Sequence, residues 1–310
     1  VNNDFLQAKG ESRYARTIEL PASRGKVTDR NGVVLASSLP ARAVWVSPED
    51  FKATPEQTAR LTELLGISER ELRRRVADEE KTFVYLKRQV ESDVADRIAS
   101  LNIPGVHMQK EYKRYYPEGE ALAHVVGFTN VEDVGQEGIE LAQDSMLAGK
   151  LGSRRVIKDR LGRIIEDVGA VREPRDGTDL RLSIDAKVQY HAYSALKAAV
   201  AEHKAKAGAV VVLDVRSGEI LALANLPTYD PNQRGQLSGA QLRNRVITDT
   251  FEPGSTMKPF TTALALESGR FTPQTVIQTA PGKLTIGPNT IGDAHAYGEL
   301  TVEQVLQKSS

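Results

Sequence analysis

Phe251-Glu252-Pro253-Gly254-Ser255-Thr256-Met257-Lys258-Pro259 is the stretch that decides how this 310-residue chain is read. Ser255 stands three positions before Lys258, directly behind a Pro-Gly turn. Pro253 and Gly254 end whatever precedes them. Pro259 has no N–H and fits only in the first turn of a helix. Phe260, Leu264 and Leu266 follow with helix-like apolar spacing before Gly269. The pattern predicts a helix beginning within a residue or so of Ser255, with Ser255 and Lys258 on one face. A hydroxyl beside an amine that can take its proton is an activated nucleophile. At the positive end of a helix, the outward-facing N–H of Ser255 is placed to help stabilise an oxyanion. Together these features point to acyl transfer through a serine ester.

A bare S-x-x-K is expected about once by chance in a chain this long. A serine behind Pro-Gly also serves simply as an N-cap. The flanking sequence decides between these readings. It contains Ala-Val-Val-Val-Leu-Asp at 209–214, Gly-Glu-Ile-Leu-Ala-Leu-Ala-Asn at 218–225, Pro-Thr-Tyr-Asp-Pro-Asn at 227–232 and Arg-Asn-Arg at 243–245. Upstream lie Arg24-Gly-Lys-Val-Thr-Asp-Arg-Asn-Gly32, Arg114-Tyr-Tyr-Pro117, His124 with Gly127, and Gly135-Gln-Glu-Gly-Ile-Glu140. In order and content these blocks resemble the class B penicillin-binding proteins, bacterial peptidoglycan D,D-transpeptidases. The ending Gln307-Lys308-Ser309-Ser310 is similar to the start of the Lys-Ser-Ser-Asn of the cell-division branch.

The resemblance implies an α+β protein. A non-catalytic pedestal (dimerisation) module is expected at 21–176, after an extended lead-in at 1–20. The N-terminal part of a penicillin-recognition domain, the fold of transpeptidases and serine β-lactamases, is expected at 177–310. It implies Ser255 as nucleophile, Lys258 as general base and Ser309 as proton relay. The implied substrates are stem peptides ending in D-Ala-D-Ala, with β-lactams as their mimics and divisome membrane proteins as partners. No metal or organic cofactor is implied. The K-[ST]-G motif of the family is absent, and Ser309-Ser310 is not followed by an asparagine. The expectation is therefore a chain cut inside its transpeptidase domain and inactive as written. A preceding signal-anchor helix in the bacterial inner membrane is also implied, with this portion in the periplasm. Other readings are a non-catalytic divisome-binding module, an elongation-type transpeptidase, and a serine β-lactamase or β-lactam sensor; the long upstream region disfavours the lactamase.

Composition agrees with this without selecting it. Hydrophobic residues make up 40% and charged residues 26%, normal for a globular protein with a core. Lys+Arg and Asp+Glu both number 41, and this balance argues against nucleic acid as a partner. Without cysteine there are no disulfides or thiolate metal sites. The five histidines are scattered and read as structural or surface residues. No run of 18 apolar residues is present.

Local signals predict several elements. Thr54-x-x-Gln57 reads as a capping box for a helix through Leu61, Leu64 and Leu65, closed by Gly66. Ser68 and Ser92 read as caps of two further helices, and Phe83–Val90 as a strand. A domain boundary is expected near 173–180. Beyond it, Asp185 caps a helix with Val188, Leu196 and Val200 on one stripe, closed by Gly208. Strands at 209–214 and 219–224 form a hairpin through Arg216-Ser217-Gly218. Arg24, Asp29 and Arg30 read as a domain-joining salt-bridge knot. Trp45, Tyr112, Tyr115 and Tyr116 read as core or interface aromatics rather than a sugar platform.

Overall fold

The computed structural model describes residues 15–158, 164–235 and 237–310. Two compact units result, one reaching Thr248 and one running from Asp249 to Ser310.

The first unit is organised by one long strand. Strands β1 (Ala15–Leu20), β2 (Val27–Thr28) and β3 (Val34–Val46) are followed by helices α1 (Pro55–Leu65) and α2 (Glu69–Val76), strand β4 (Val84–Glu91), helix α3 (Ser92–Ala99) and strand β5 (Val106–Tyr115). β5 runs antiparallel to β3 from Ser37–Tyr115 to Val46–Val106. On its other side β3 pairs with β2 up to Ala36 and with β4 from Ala41 onward. Pro40, which has no N–H to give, falls in the gap between those two partners.

The predicted caps explain the helices. Thr54 and Gln57 form the reciprocal capping box, and Gly66 ends α1 in the left-handed conformation. The Ser68 side chain accepts from the Glu71 amide. Ser92 opens its helix as the first helical residue, with Glu91 in the cap position. Leu61, Leu65, Leu72, Leu86 and Ile98 pack with Val44 and Val46 into one core.

A second core gathers Val27, Leu35, Ala36, Tyr116, Leu122, Val126, Leu147 and Ile184. The two ends of β3 thus serve two cores. The short helices α4 (Ala123–Val126), α5 (Gly138–Ala142) and α6 (Asp144–Leu147) frame this second core. Gly127, at φ +77°, lies where a Cβ would come 1.8 Å from the Glu137 carbonyl oxygen. No side chain fits there. Strands β6 (Gly152–Lys158) and β7 (Ile164–Arg172) form an antiparallel sheet with β1, so the described part of the lead-in is a paired strand. β8 (Leu180–Arg181) adds in parallel to β2.

Helix α7 (Ala186–Glu202) then packs on the hairpin of β9 (Gly208–Leu213) and β10 (Ile220–Leu226). Asp185 caps it by accepting from the Lys187 and Val188 amides, but it closes at His203, and Gly208 opens β9 instead. Its buried stripe is Gln189, Tyr193 and Leu196, one position on from the expected Val188. The Gln189 amide group donates to the Ala121 and Leu223 carbonyls and accepts from the Leu223 amide. A fully bonded polar group therefore sits where an apolar one was sought. Short helices α8 (Gly239–Leu242) and α9 (Arg245–Thr248) complete the unit.

The expected charge knot comes apart into three devices. Asp29 accepts from the Asn31, Val33 and Ala186 amides, tying the start of α7 to the β2–β3 turn. Burial opposes its charge, but these amides hold its carboxyl below the ordinary range. Arg30 meets Glu219 at 3.2 Å on the surface. Arg24 is buried and bonds Glu140 at 2.6 Å and Asp144 at 2.8 Å. Arg114 takes the other Glu140 oxygen at 2.7 Å and donates to the Gly25 carbonyl at 2.7 Å. Arg24, Glu140 and Arg114 side chains are 1%, 0% and 2% exposed.

Removing one partner of such a buried cluster leaves an uncompensated charge, at a cost of about 3–5 kcal/mol. Glu140→Gln is expected to destabilise the first unit by that amount in denaturant titrations. Asp133 beside it behaves oppositely. Burial pushes its carboxyl up to about 6, against the pull of Arg24 and Arg114. Its ionised form is thus the less stable one, and stability falls as pH rises through about 6. Asp133→Asn is expected to melt higher than the parent at pH 7.5, with the difference shrinking toward pH 4.

Candidate active site

The second unit opens on a single 3₁₀ turn, Gly254–Met257, that runs into helix α10 (Lys258–Glu267). The α-helix therefore begins at Lys258, three residues after the predicted start. The sequence explains this. Pro253 is in the right-handed region, Gly254 takes φ +53°, and Pro259 lies in the first turn of α10. A 3₁₀ turn has three residues per turn, so residues i and i+3 eclipse. Ser255 and Lys258 consequently share a face, as the spacing required, by a tighter geometry than the expected α-turn. The Thr256 hydroxyl fixes the turn by donating to the Pro253 carbonyl at 2.6 Å.

The partner comes from the far end of the unit. After strands β11 (Val276–Gln278), β12 (Lys283–Ile286), β13 (Asn289–Gly292) and β14 (Glu299–Thr301) comes helix α11 (Val302–Lys308). β11 pairs antiparallel with β14, and β12 with β13. Thr301 and Gln304 form a capping box at the start of α11. That S/T-x-x-Q signature was readable in the sequence and passed over. At its other end Ser309 adopts the left-handed conformation, φ +57°. Non-glycine residues adopt it rarely, at a cost on the order of 1 kcal/mol.

This turns the Ser309 side chain onto the 3₁₀ turn. Ser309 Oγ lies 2.9 Å from Ser255 Oγ and 3.0 Å from Lys258 Nζ. The Lys258 ammonium also donates to the Ser309 carbonyl. Among the described residues, the Ser255 hydroxyl bonds to Ser309, and Lys258 reaches it through that serine rather than directly. Ser310 Oγ donates to Asp293 Oδ2, which holds the end of α11 against the β13 turn. Asp293 had no sequence signal.

The site is open. Ser255 is exposed and Lys258 half-buried. Phe260 and Leu264, expected as an apolar stripe, are 70% and 69% exposed, and α10 buries no side chain. Among the described residues of this unit, Leu300 and Val302 are the buried apolar side chains in its core.

Comparison with known proteins bears on this arrangement. Residues 19–182 match the penicillin-binding protein dimerisation domain, and residues 208–310 match the penicillin-binding protein transpeptidase domain. Over 314 residues, all of this chain, it is 44% identical to a probable peptidoglycan D,D-transpeptidase PenA of Neisseria gonorrhoeae, covering 54% of that protein. It is 42% identical over 316 residues to the peptidoglycan D,D-transpeptidase FtsI of Escherichia coli K12, covering 53% of it. The chain spans about half the length of the curated relatives it matches. Among solved structures, a peptidoglycan synthetase from Bifidobacterium adolescentis superposes with TM-score 0.65 at 25% identity, over 96% of this chain and 59% of that one.

With so little of α10 packed, its helical hydrogen bonds open easily. Amides of α10 are expected to exchange hydrogen faster than those of β3, β5 and α7, as read by mass spectrometry of peptic fragments.

Proposed function

The chain belongs to the penicillin-binding proteins, and on that premise we propose that it is the pedestal and first catalytic portion of a peptidoglycan D,D-transpeptidase of the cell-division type. Residues 21–176 are assigned to the pedestal and 177–310 to the beginning of the transpeptidase domain. The observation that carries the proposal is the hydrogen-bonded line Ser255–Ser309–Lys258, at 2.9 and 3.0 Å. The names of the relatives favour the same activity.

In this reading Ser255 Oγ attacks the carbonyl between the two D-alanines of a stem peptide. Its proton passes to Lys258 as general base, by way of the Ser309 hydroxyl that lies between the two. The C–N bond of the tetrahedral intermediate breaks. Ser309 returns the proton to the leaving amine, and D-alanine departs. An amine of a neighbouring strand then attacks the Ser255 ester, forming the cross-link and restoring the serine. The Ser255 amide, at the start of its turn, supplies one oxyanion donor. A β-lactam enters the same path but leaves a long-lived ester. Among the described residues no helix is long and apolar enough to cross a membrane. Placement in the periplasm at the inner membrane, among divisome membrane proteins, is part of the proposal.

The test is intact mass of the full-length protein after incubation with excess benzylpenicillin. One adduct of a single penicilloyl mass is expected, lost in Ser255→Ala. Ser309→Ala is expected to keep the site but slow acylation by about 10²–10⁴-fold. An adduct that persists in Ser255→Ala would remove Ser255 as nucleophile. Rapid loss of the wild-type adduct by hydrolysis would indicate a lactamase instead.

A further inference from the structure

A pocket of about 360 Å³ opens in the first unit where α4 and α5 meet β10, α9 and the segment joining β8 to α7. His124, Ile184 and Leu223 form its buried floor, and the exposed Ala142, Ile220 and Ile247 stand at its mouth. Polar contacts behind the walls set their spacing. Asn225, 2% exposed, donates to Asn244 at 2.9 Å and accepts from the Val246 amide at 2.9 Å, which seats α9 on β10. The His124 Nε2–H donates to the Gln241 carbonyl at 2.7 Å and ties α4 to α8. The pocket is therefore preformed.

Its chemistry is narrow. Among the described residues no Asp, Glu, Lys or Arg lines it. An ion entering it would give up water with no opposite charge to replace it. The polar side chains on its wall are His124, Ser183 and Asn244. The Ser183 hydroxyl is spent on the Ile220 carbonyl at 2.8 Å, and Asn244 is taken up by Asn225 and by the His124 carbonyl. His124 differs. It is 8% exposed, and burial, helped by the charge of Arg245, holds its ring below the ordinary pKa against the pull of the Gln241 carbonyl. A neutral ring that donates through Nε2 carries a bare lone pair on Nδ1. That nitrogen has no hydrogen-bond partner among the described residues. The site offers aliphatic walls, no charge and one free acceptor, at the small end of ligand-site volumes.

We propose that this pocket binds a small, neutral, largely apolar molecule with a single hydrogen-bond donor, of the indole or phenol kind, whose N–H or O–H pairs with His124 Nδ1. The pocket shares no residue with the Ser255–Ser309–Lys258 line, and the proposal does not rest on the transpeptidase reading. The test is ligand-detected NMR titration of the full-length protein with indole and with benzofuran, which has the same shape without the N–H. Indole is expected to bind saturably and benzofuran about tenfold more weakly, the worth of one hydrogen bond. Indole is also expected to raise the melting temperature, because it binds the folded form. Ala142→Leu, at an exposed position on the mouth, is expected to block both ligands. His124→Phe keeps a ring for the edge-on contact with Tyr229 and is expected to bring the two affinities together. A merely structural role for His124 would leave their ratio unchanged. No saturable binding of millimolar indole by folded protein would overturn the proposal. So would equal affinities for the two ligands in the wild type, or indole binding that survives Ala142→Leu unaltered.

Discussion

One carboxylate shared by two guanidiniums governs the first unit. Glu140 accepts from Arg24 with one oxygen and from Arg114 with the other, all out of contact with solvent. The three residues come from the segment before β2, the end of β5 and helix α5. Such a cluster contributes little net stability, because desolvation offsets its Coulomb attraction. Its effect is geometric, since any other arrangement strands a buried charge. The remaining donors tighten this further. Arg24 also reaches the Asp133 and Glu140 carbonyls, and Arg114 reaches Ser38 and Gly25. The crowded glycine at 127 belongs to the same demand, because α4 and α5 must close up for Glu140 to arrive. Burial works against the Arg24 charge, yet Glu140 and Asp144 outweigh it and keep the guanidinium firmly ionised.

The candidate catalytic line is held by contrasting means. Nothing comparable is buried around Ser255. Its position follows from backbone restriction by Pro253, Gly254 and Pro259, and from a capping box and a left-handed residue on α11. Local geometry can set two side chains three residues apart on one face. Bringing Ser309 to 2.9 Å of Ser255, across 54 positions, takes the pairing of β11 with β14 and the seating of α11 on them. The α10 apolar stripe has no cover within this unit, so the site rests on these turns and caps and on the β11–β14 pairing rather than on burial of α10.

The sequence was most legible where one residue type does one local job. Thr54, Ser68 and Asp185 cap helices as their chemistry demands, and the 208–226 hairpin follows from two apolar runs around the Arg216-Ser217-Gly218 turn. Reading was poorest where a residue serves two masters. β3 and β5 are long strands, but Pro40 breaks the first pattern and alternating Lys, Glu and Arg hide the second. Gln189 lies in a core stripe because its amide is fully bonded, which hydrophobic periodicity cannot register. Arg24 was singled out for pairing, yet its true partner lies 116 residues away.

By itself the sequence determined the family, the α+β class, the helix caps, and the serine and lysine three residues apart behind a Pro-Gly turn. These are consequences of covalent structure and nearest-neighbour hydrogen bonding, which neighbouring residues carry with them. Tertiary structure alone decided that two arginines share Glu140, that Asp133 is pushed toward neutrality, that His124 lies in the floor of an apolar pocket, and that Lys258 reaches Ser255 through Ser309. Each of these depends on burial and on contacts between distant segments. Desolvation and long-range approach exist only once the chain has closed on itself, and no local pattern encodes them.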